Sequence, residues 1–173
     1  MTRELIMRDH GQIRRLLPQR YPMLLLDQVL DLVPGESVHA IKAVTACEPC
    51  YQGIAETADS DAWAYPVSLL LESFGQAAAL LWIAGRESAA DGVLLFGAAR
   101  NCRIHSAAYP GDLLCHRICL DAQIGDTAFA SGTTSIGDRL VAEVGTFAAT
   151  VRPSSAVRPH IKNRENVTER EAE

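Results

Sequence analysis

Pro66-Val67-Ser68-Leu69-Leu70-Leu71-Glu72-Ser73-Phe74-Gly75-Gln76-Ala77-Ala78-Ala79-Leu80-Leu81-Trp82-Ile83-Ala84 is the longest apolar stretch in the chain. Proline suits the first turn of a helix, where its missing N–H has no partner to lose. From residue 67 to about 83 the apolar side chains fall on nearly every face of a 3.6-residue turn, which predicts a helix enclosed on most sides. Glu72, Gln76, Gly75 and two serines interrupt the stretch. A membrane span wants roughly 18 or more uninterrupted apolar residues, so this reads as a buried core helix.

Strand signals lie on both sides of that helix. Residues 23–32 read as a strand, a turn follows at Val33-Pro34-Gly35-Glu36, and residues 37–45 pair back as a hairpin. Residues 46–65 read as a long irregular loop with an acidic middle, and Gly85 as the helix stop. Four more strands are expected at 92–104, 113–123, 127–136 and 139–152. They are punctuated by Tyr109-Pro110-Gly111-Asp112, Ile124-Gly125-Asp126 and Gly137-Asp138. One enclosed helix with about six antiparallel strands is an α+β domain whose sheet curves around the helix. The expected division is one domain over residues 1–152 and a charged, pattern-free, disordered tail over 153–173. The 92–104 strand is expected at a sheet edge, and an unpaired edge invites a second copy to pair.

Composition narrows the function classes. The chain has 173 residues, 48% of them hydrophobic, and a formal net charge of -5. That length suits a single domain able to bury a sizeable core. Nucleic acid is not an expected partner, because basic residues are scattered singly or in pairs such as Arg14-Arg15. The N-terminal stretch lacks the apolar run of a secretory signal, so the expected location is the cytoplasm. Five cysteines, an odd number, then read as reduced thiols. Cys47-Glu48-Pro49-Cys50 has no second pair to complete a zinc site, and Cys115 and Cys119 read as core thiols on one face of a strand. No metal and no cofactor is expected.

Five segments, in order, carry a resemblance. Leu17-Pro18-Gln19-Arg20-Tyr21-Pro22-Met23-Leu24-Leu25-Leu26-Asp27 resembles the LPHRYPFLLVD opening of bacterial (3R)-hydroxyacyl-acyl carrier protein dehydratases. Glu48-Pro49-Cys50-Tyr51-Gln52-Gly53 resembles their EPFFQG, and Leu70-Leu71-Glu72-Ser73-Phe74-Gly75-Gln76-Ala77-Ala78 their helix motif IIEAMAQAA. Tyr109-Pro110-Gly111-Asp112 resembles VPGD, and Leu140-Val141-Ala142-Glu143 resembles LVAEA. The resemblance spans residues 13–152 and implies the hotdog fold, an antiparallel sheet wrapped around one long helix.

The same resemblance implies a site. Dehydration removes a proton from C2 of a 3-hydroxyacyl thioester and expels the C3 hydroxyl as water. In the family a histidine takes the C2 proton, a helix carboxylate serves the hydroxyl, and backbone N–H groups polarise the thioester carbonyl. The two side chains come from opposite protomers. Here the carboxylate is Glu72, with Gln76 one turn on and able to bond it. Gly53, Gln76 and Val67 are the implied substrate-binding positions, but Ile54 stands where the family has its histidine. No histidine occurs between His39 and His105, and several extra residues separate Gly53 from the helix. Ile54 cannot act as a base. The expected partners are acyl carrier protein bearing an acyl chain on phosphopantetheine, and a second subunit. That subunit is either a copy of this chain or a histidine-bearing dehydratase-like chain that pairs its imidazole with Glu72. Such a pair fits fatty-acid or polyketide assembly, polyenes included. A hotdog acyl thioesterase and a non-catalytic acyl-carrier binding or scaffold protein are the alternatives. Trp63 and Tyr65 either plug the tunnel mouth or anchor the loop, Arg103 and His105 are candidates for carrier-protein contact, and Asp59 and Asp61 lie on an acidic surface loop.

Overall fold

The computed structural model describes residues 8–84 and 93–153. Elements run in the order α1 (His10–Leu16), β1 (Gln28–Val33), β2 (Ser37–Ala43), α2 (Val67–Ala84), β3 (Val93–Ile104), β4 (Leu113–Ile124), β5 (Thr127–Ile136) and β6 (Arg139–Arg152). The six strands form one antiparallel sheet in the order β1-β2-β4-β5-β6-β3. Hairpins join β4, β5 and β6. The chain leaves α2 for the far edge of the sheet, lays down β3 beside β6, and returns to β4 in the middle. The strand at 92–104 is therefore an edge strand of the protomer, and its residues from Gly97 onward are exposed.

Helix α2 has the extent its apolar run predicts, and the sheet curves over it as in a hotdog. Eleven of its 18 residues are buried, with Phe74, Ala77, Leu80 and Leu81 packed against Leu26, Val29, Leu32, Val38, Ile118, Val144 and Phe147. By length and composition alone α2 passes for a membrane span, but most of it is inside the protein. The enclosure is incomplete at its start: Val67 is 44% exposed and Ser68 is exposed. The rings of Phe74 and Phe96 lie 5.8 and 5.3 Å from that of Phe147. Gly75 makes room for them, since a Cβ there would sit 2.6 Å from the Phe147 ring.

Two expectations are corrected. The strand read from residue 23 starts at Gln28. Residues 20–26 instead form a turn in which Met23 and Leu24 N–H groups both donate to Arg20 O, and the Tyr21–Pro22 peptide is cis. The backbone there finds partners in a side chain of α2, described below, so it needs no strand neighbour. Cys115 and Cys119 do share a face of β4, but it is the outer one. Leu114, His116 and Ile118 alternate with them and take the core. The 46–65 loop carries two short 3-10 turns, at Pro49–Tyr51 and Ser60–Trp63. Gly85 and the segment 154–173 lie outside the described residues.

Candidate active site

The opening segment and α2 meet at one carboxylate. Gln76 is wholly buried and uses its entire amide. Its Nε2 donates to Met23 O at 2.6 Å and to Glu72 Oε1 at 2.8 Å, and its Oε1 accepts the Leu25 N–H at 2.9 Å. The i, i+4 spacing puts Glu72 and Gln76 on one face, as the sequence predicts. A second amide reaches the same oxygen, Gln19 Nε2 at 3.4 Å. Glu72 is half-buried, and both bonds from described residues fall on Oε1. Oε2 takes neither. Two N–H donors at Oε1 leave Oε2 as the oxygen on which a proton of this carboxyl would sit.

The loop between β2 and α2 that carries Ile54 is fastened down by apolar packing and an ion pair. Ile54 and Trp63 pack against a cluster that includes Tyr51, Tyr65, Leu70, Leu114 and Val141. Trp63 lies tilted on Tyr51, ring centres 5.4 Å apart, and the Tyr65 N–H donates to Ala108 O. These contacts anchor Trp63 and Tyr65 and hold the loop in place. Burial raises the phenol of Tyr51 to about 12 and that of Tyr65 further still, with the Cys50 thiol and Glu48 carboxylate adding to the first. Beneath the loop, buried Lys42 pairs with Glu48 at 2.8 Å and also reaches the Ala43 carbonyl oxygen. Thr45 N–H donates to the same Glu48 oxygen. This ties the Glu48-Pro49-Cys50-Tyr51 segment to β2. The Cys50 thiol is pushed up by burial and by Glu48, which leaves it less nucleophilic than a free cysteine.

The other sequence candidates are spread out. Gly53 follows the first 3-10 turn with a φ of 83°, a conformation that favours glycine. Among the described residues no hydrogen bond joins Gly53 or Val67 to Glu72. His105 Nε2 lies 2.9 Å from Glu143, both groups exposed, and Arg103 stands opposite Glu143 in the β3–β6 register. Asp61 accepts from Tyr109 Oη at 3.5 Å, and Asp59 leads into the second 3-10 turn.

His116 is fully buried between α2, β4 and β5. Its Nε2 lies 3.0 Å from Ser73 Oγ and its Nδ1 2.8 Å from Thr134 Oγ1. Ser73 spends its hydroxyl hydrogen on Leu70 O. Its oxygen must then accept from His116 Nε2–H, and Nδ1 accepts from Thr134. Both ring nitrogens are occupied, and burial, with the charges of His39 and Lys42, pulls the pKa down to about 3. This imidazole stays neutral and is unavailable as a base. It does make the fold acid-sensitive. Its folded pKa lies below the unfolded value, so between pH 6.5 and about 3 the unfolded state binds the extra proton and stability falls with pH. Lowering the pH from 7 to 5 is expected to cost about 2 kcal/mol through this group alone. Urea denaturation at both pH values checks it: His116→Asn, less stable at each, should lose that pH-dependent difference.

Sequence reasoning missed Gln19, the Ser73-His116-Thr134 chain and the Lys42–Glu48 pair. Gln19 was legible only as one letter of the opening motif, where the family has histidine.

No protein-family model matches the chain. Curated relatives do. The 3-hydroxyacyl-acyl-carrier-protein dehydratase FabZ of Pseudoalteromonas translucida is 41% identical over 115 residues, covering 66% of this chain and 74% of the relative. That of Paramagnetospirillum magneticum is 33% identical over 144 residues, covering 83% and 86%. Among solved structures, the dehydratase heterocomplex ApeI:P from Xenorhabdus doucetiae superposes with a TM-score of 0.68 at 20% identity, over 83% of this chain and 92% of that one. A hypothetical thioesterase from Streptococcus pneumoniae with coenzyme A gives 0.52 at 13% identity, over 72% and 84%. The structural likenesses establish the shared fold. The sequence identities run through most of each relative's length, so the chain belongs to the 3-hydroxyacyl-acyl-carrier-protein dehydratase family.

Proposed function

We propose that this chain is a dehydratase subunit acting on 3-hydroxyacyl thioesters of acyl carrier protein in the cytoplasm, supplying Glu72 to a site that a histidine-bearing partner completes. The observation that carries the reading is the Glu72 carboxyl, held through Oε1 by two amides, with no hydrogen bond to Oε2 among the described residues. Protonated on Oε2, it delivers that proton to the C3 hydroxyl. The C3–O bond breaks, water leaves, and the partner's imidazole takes the C2 proton as the C2=C3 double bond forms. Glu72 ends as carboxylate and imidazole as imidazolium, and a proton returned between turnovers restores both.

The second half of the reading rests on what stands beside Gly53. Ile54 has no ionisable group and is packed into an apolar cluster with Trp63. A protomer that has filled its own base position still carries the carboxyl its partner needs. Relatives named as dehydratases support the reaction class. The exposed β3 edge is the proposed place where a second subunit pairs.

The test is activity with and without a partner. The purified chain alone should turn over a (3R)-hydroxybutyryl thioester at least about a hundredfold more slowly than its mixture with a histidine-bearing family member whose own helix carboxylate has been replaced by glutamine, so that only the mixed site is complete, since a positioned base contributes on the order of 10²–10⁴. Native mass measurement of the mixture should show the heterodimer. Robust turnover by this chain alone overturns the reading, and hydrolysis of the thioester in place of dehydration favours a thioesterase.

A further inference from the structure

We propose that Gln19 is a positioning residue that, with Gln76, aims the carboxyl group of Glu72 at the substrate. The inference rests on the reading of Glu72 as the proton donor and adds a residue to it. Two amides converge on one carboxylate oxygen, and they reach it from different parts of the chain. Gln76 is on α2 itself, 2.8 Å away, whereas Gln19 comes from the opening segment 53 residues earlier. A single bond at Oε1 leaves the carboxyl free to turn about its last torsion. A second donor from another direction removes most of that freedom and decides which oxygen is presented.

Gln19 is well placed to do this because its segment is built. Leu17 is buried, Arg20 Nη1 donates to the carbonyls of Leu17 and Gln19 at 2.7 Å, and Met23 and Leu24 N–H groups close on Arg20 O. The turn is then bolted to α2 through the Gln76 bonds to Met23 and Leu25. Gln19 also carries an unused group. Its Oε1 is buried and has no hydrogen-bond partner among the described residues. A buried acceptor without a partner costs stability. Here only the Nε2 end, the one facing Glu72, makes a bond, which fits an amide placed for the site more than for the fold. The bond is long, so its removal should weaken the aim of the carboxyl without dismantling the site.

The resemblance gives the conservative replacement. The family's opening has histidine where this chain has Gln19, and an imidazole N–H donates from a similar reach. In the mixed pair, Gln19→Leu should lower kcat about tenfold with KM within about twofold, and Gln19→His should recover most of the loss. A purely structural role would lower the amount of folded protein and would not be repaired by one N–H donor. A second measurement needs no activity. In the 15N-labelled full-length chain, the side-chain amide protons of both Gln19 and Gln76 should shift when Glu72 is replaced by alanine.

The proposal is overturned if the Gln76 amide moves and the Gln19 amide does not. It is overturned as well if Gln19→Leu leaves kcat unchanged while Glu72→Gln abolishes activity, and in that case Glu72 keeps its role. If Glu72→Gln leaves the pair active, Glu72 is not the acid, and Gln19 has nothing to position.

Discussion

Glu72→Gln should abolish dehydration by the mixed pair while leaving the pair assembled. Amide and carboxylate have nearly the same size, and the Gln76 amide can still donate to an oxygen at position 72. What disappears is the proton for the leaving hydroxyl. Loss of a general acid costs on the order of 10²–10⁴ in rate. The measurement is appearance of the enoyl thioester from a (3R)-hydroxyacyl substrate, read alongside the melting temperature and native mass of the pair. Full activity would make Glu72 a structural carboxylate satisfied by two amides, and the scaffold reading would then be preferred. On the proposed reading, the same substitution in the histidine-bearing partner should have little effect on the mixed pair, because the site built on that partner's carboxyl would face Ile54.

Gly132→Ala should be the most damaging single methyl addition to the fold. Gly132 lies on β5 opposite Ile118 of β4, beside a register shift in the β5–β6 pairing. An added Cβ would stand 2.2 Å from Arg117 O and 2.9 Å from Ile118 Cα, both backbone atoms. A flexible side chain could swing away, but a strand in mid-sheet cannot. The sheet must open locally, in the register that carries His116 and its bond to Thr134. A loss of about 3 kcal/mol or more, some 10 °C in melting temperature, is expected. Thermal denaturation followed by circular dichroism checks it; a change of a degree or two would mean that the β4–β5 contact yields.

The strands after the helix were legible because their ends are marked. Gly125-Asp126 and Gly137-Asp138 bracket β5 and open β6, and both glycines adopt positive φ as tight turns require. The helix was legible because a surface apolar on nearly every face has to be covered, and the strand signals on either side supply a sheet to cover it. The start of β1 was not, since Met23-Leu24-Leu25-Leu26 has the letters of a strand while its backbone is held by one glutamine 51 to 53 residues away. Hydrophobic pattern reports where side chains want to go and says nothing of which group takes a backbone N–H. The orientation of β4 failed for a related reason. Cysteine and histidine are both admissible inside, and only the partners Ser73 and Thr134 decide for His116. At the site, Glu72 and Gln76 were visible as one helical face. Gln19 was hidden because its contact crosses the whole first hairpin and loop.

The chain has two tryptophans, and the fold gives them separate surroundings. Trp82 is buried at the far end of α2 with Ala128 and Ala149, whereas Trp63 is half-buried on the ring of Tyr51 in the loop that carries Ile54. The protein thus contains two indole fluorophores, one reporting on the helix and sheet, the other on the seating of a single surface segment. Undocking of the loop would red-shift the emission of Trp63 and leave Trp82 blue. With either indole replaced by phenylalanine, the arrival of a second subunit or of an acyl carrier could be followed optically on the unlabelled protein.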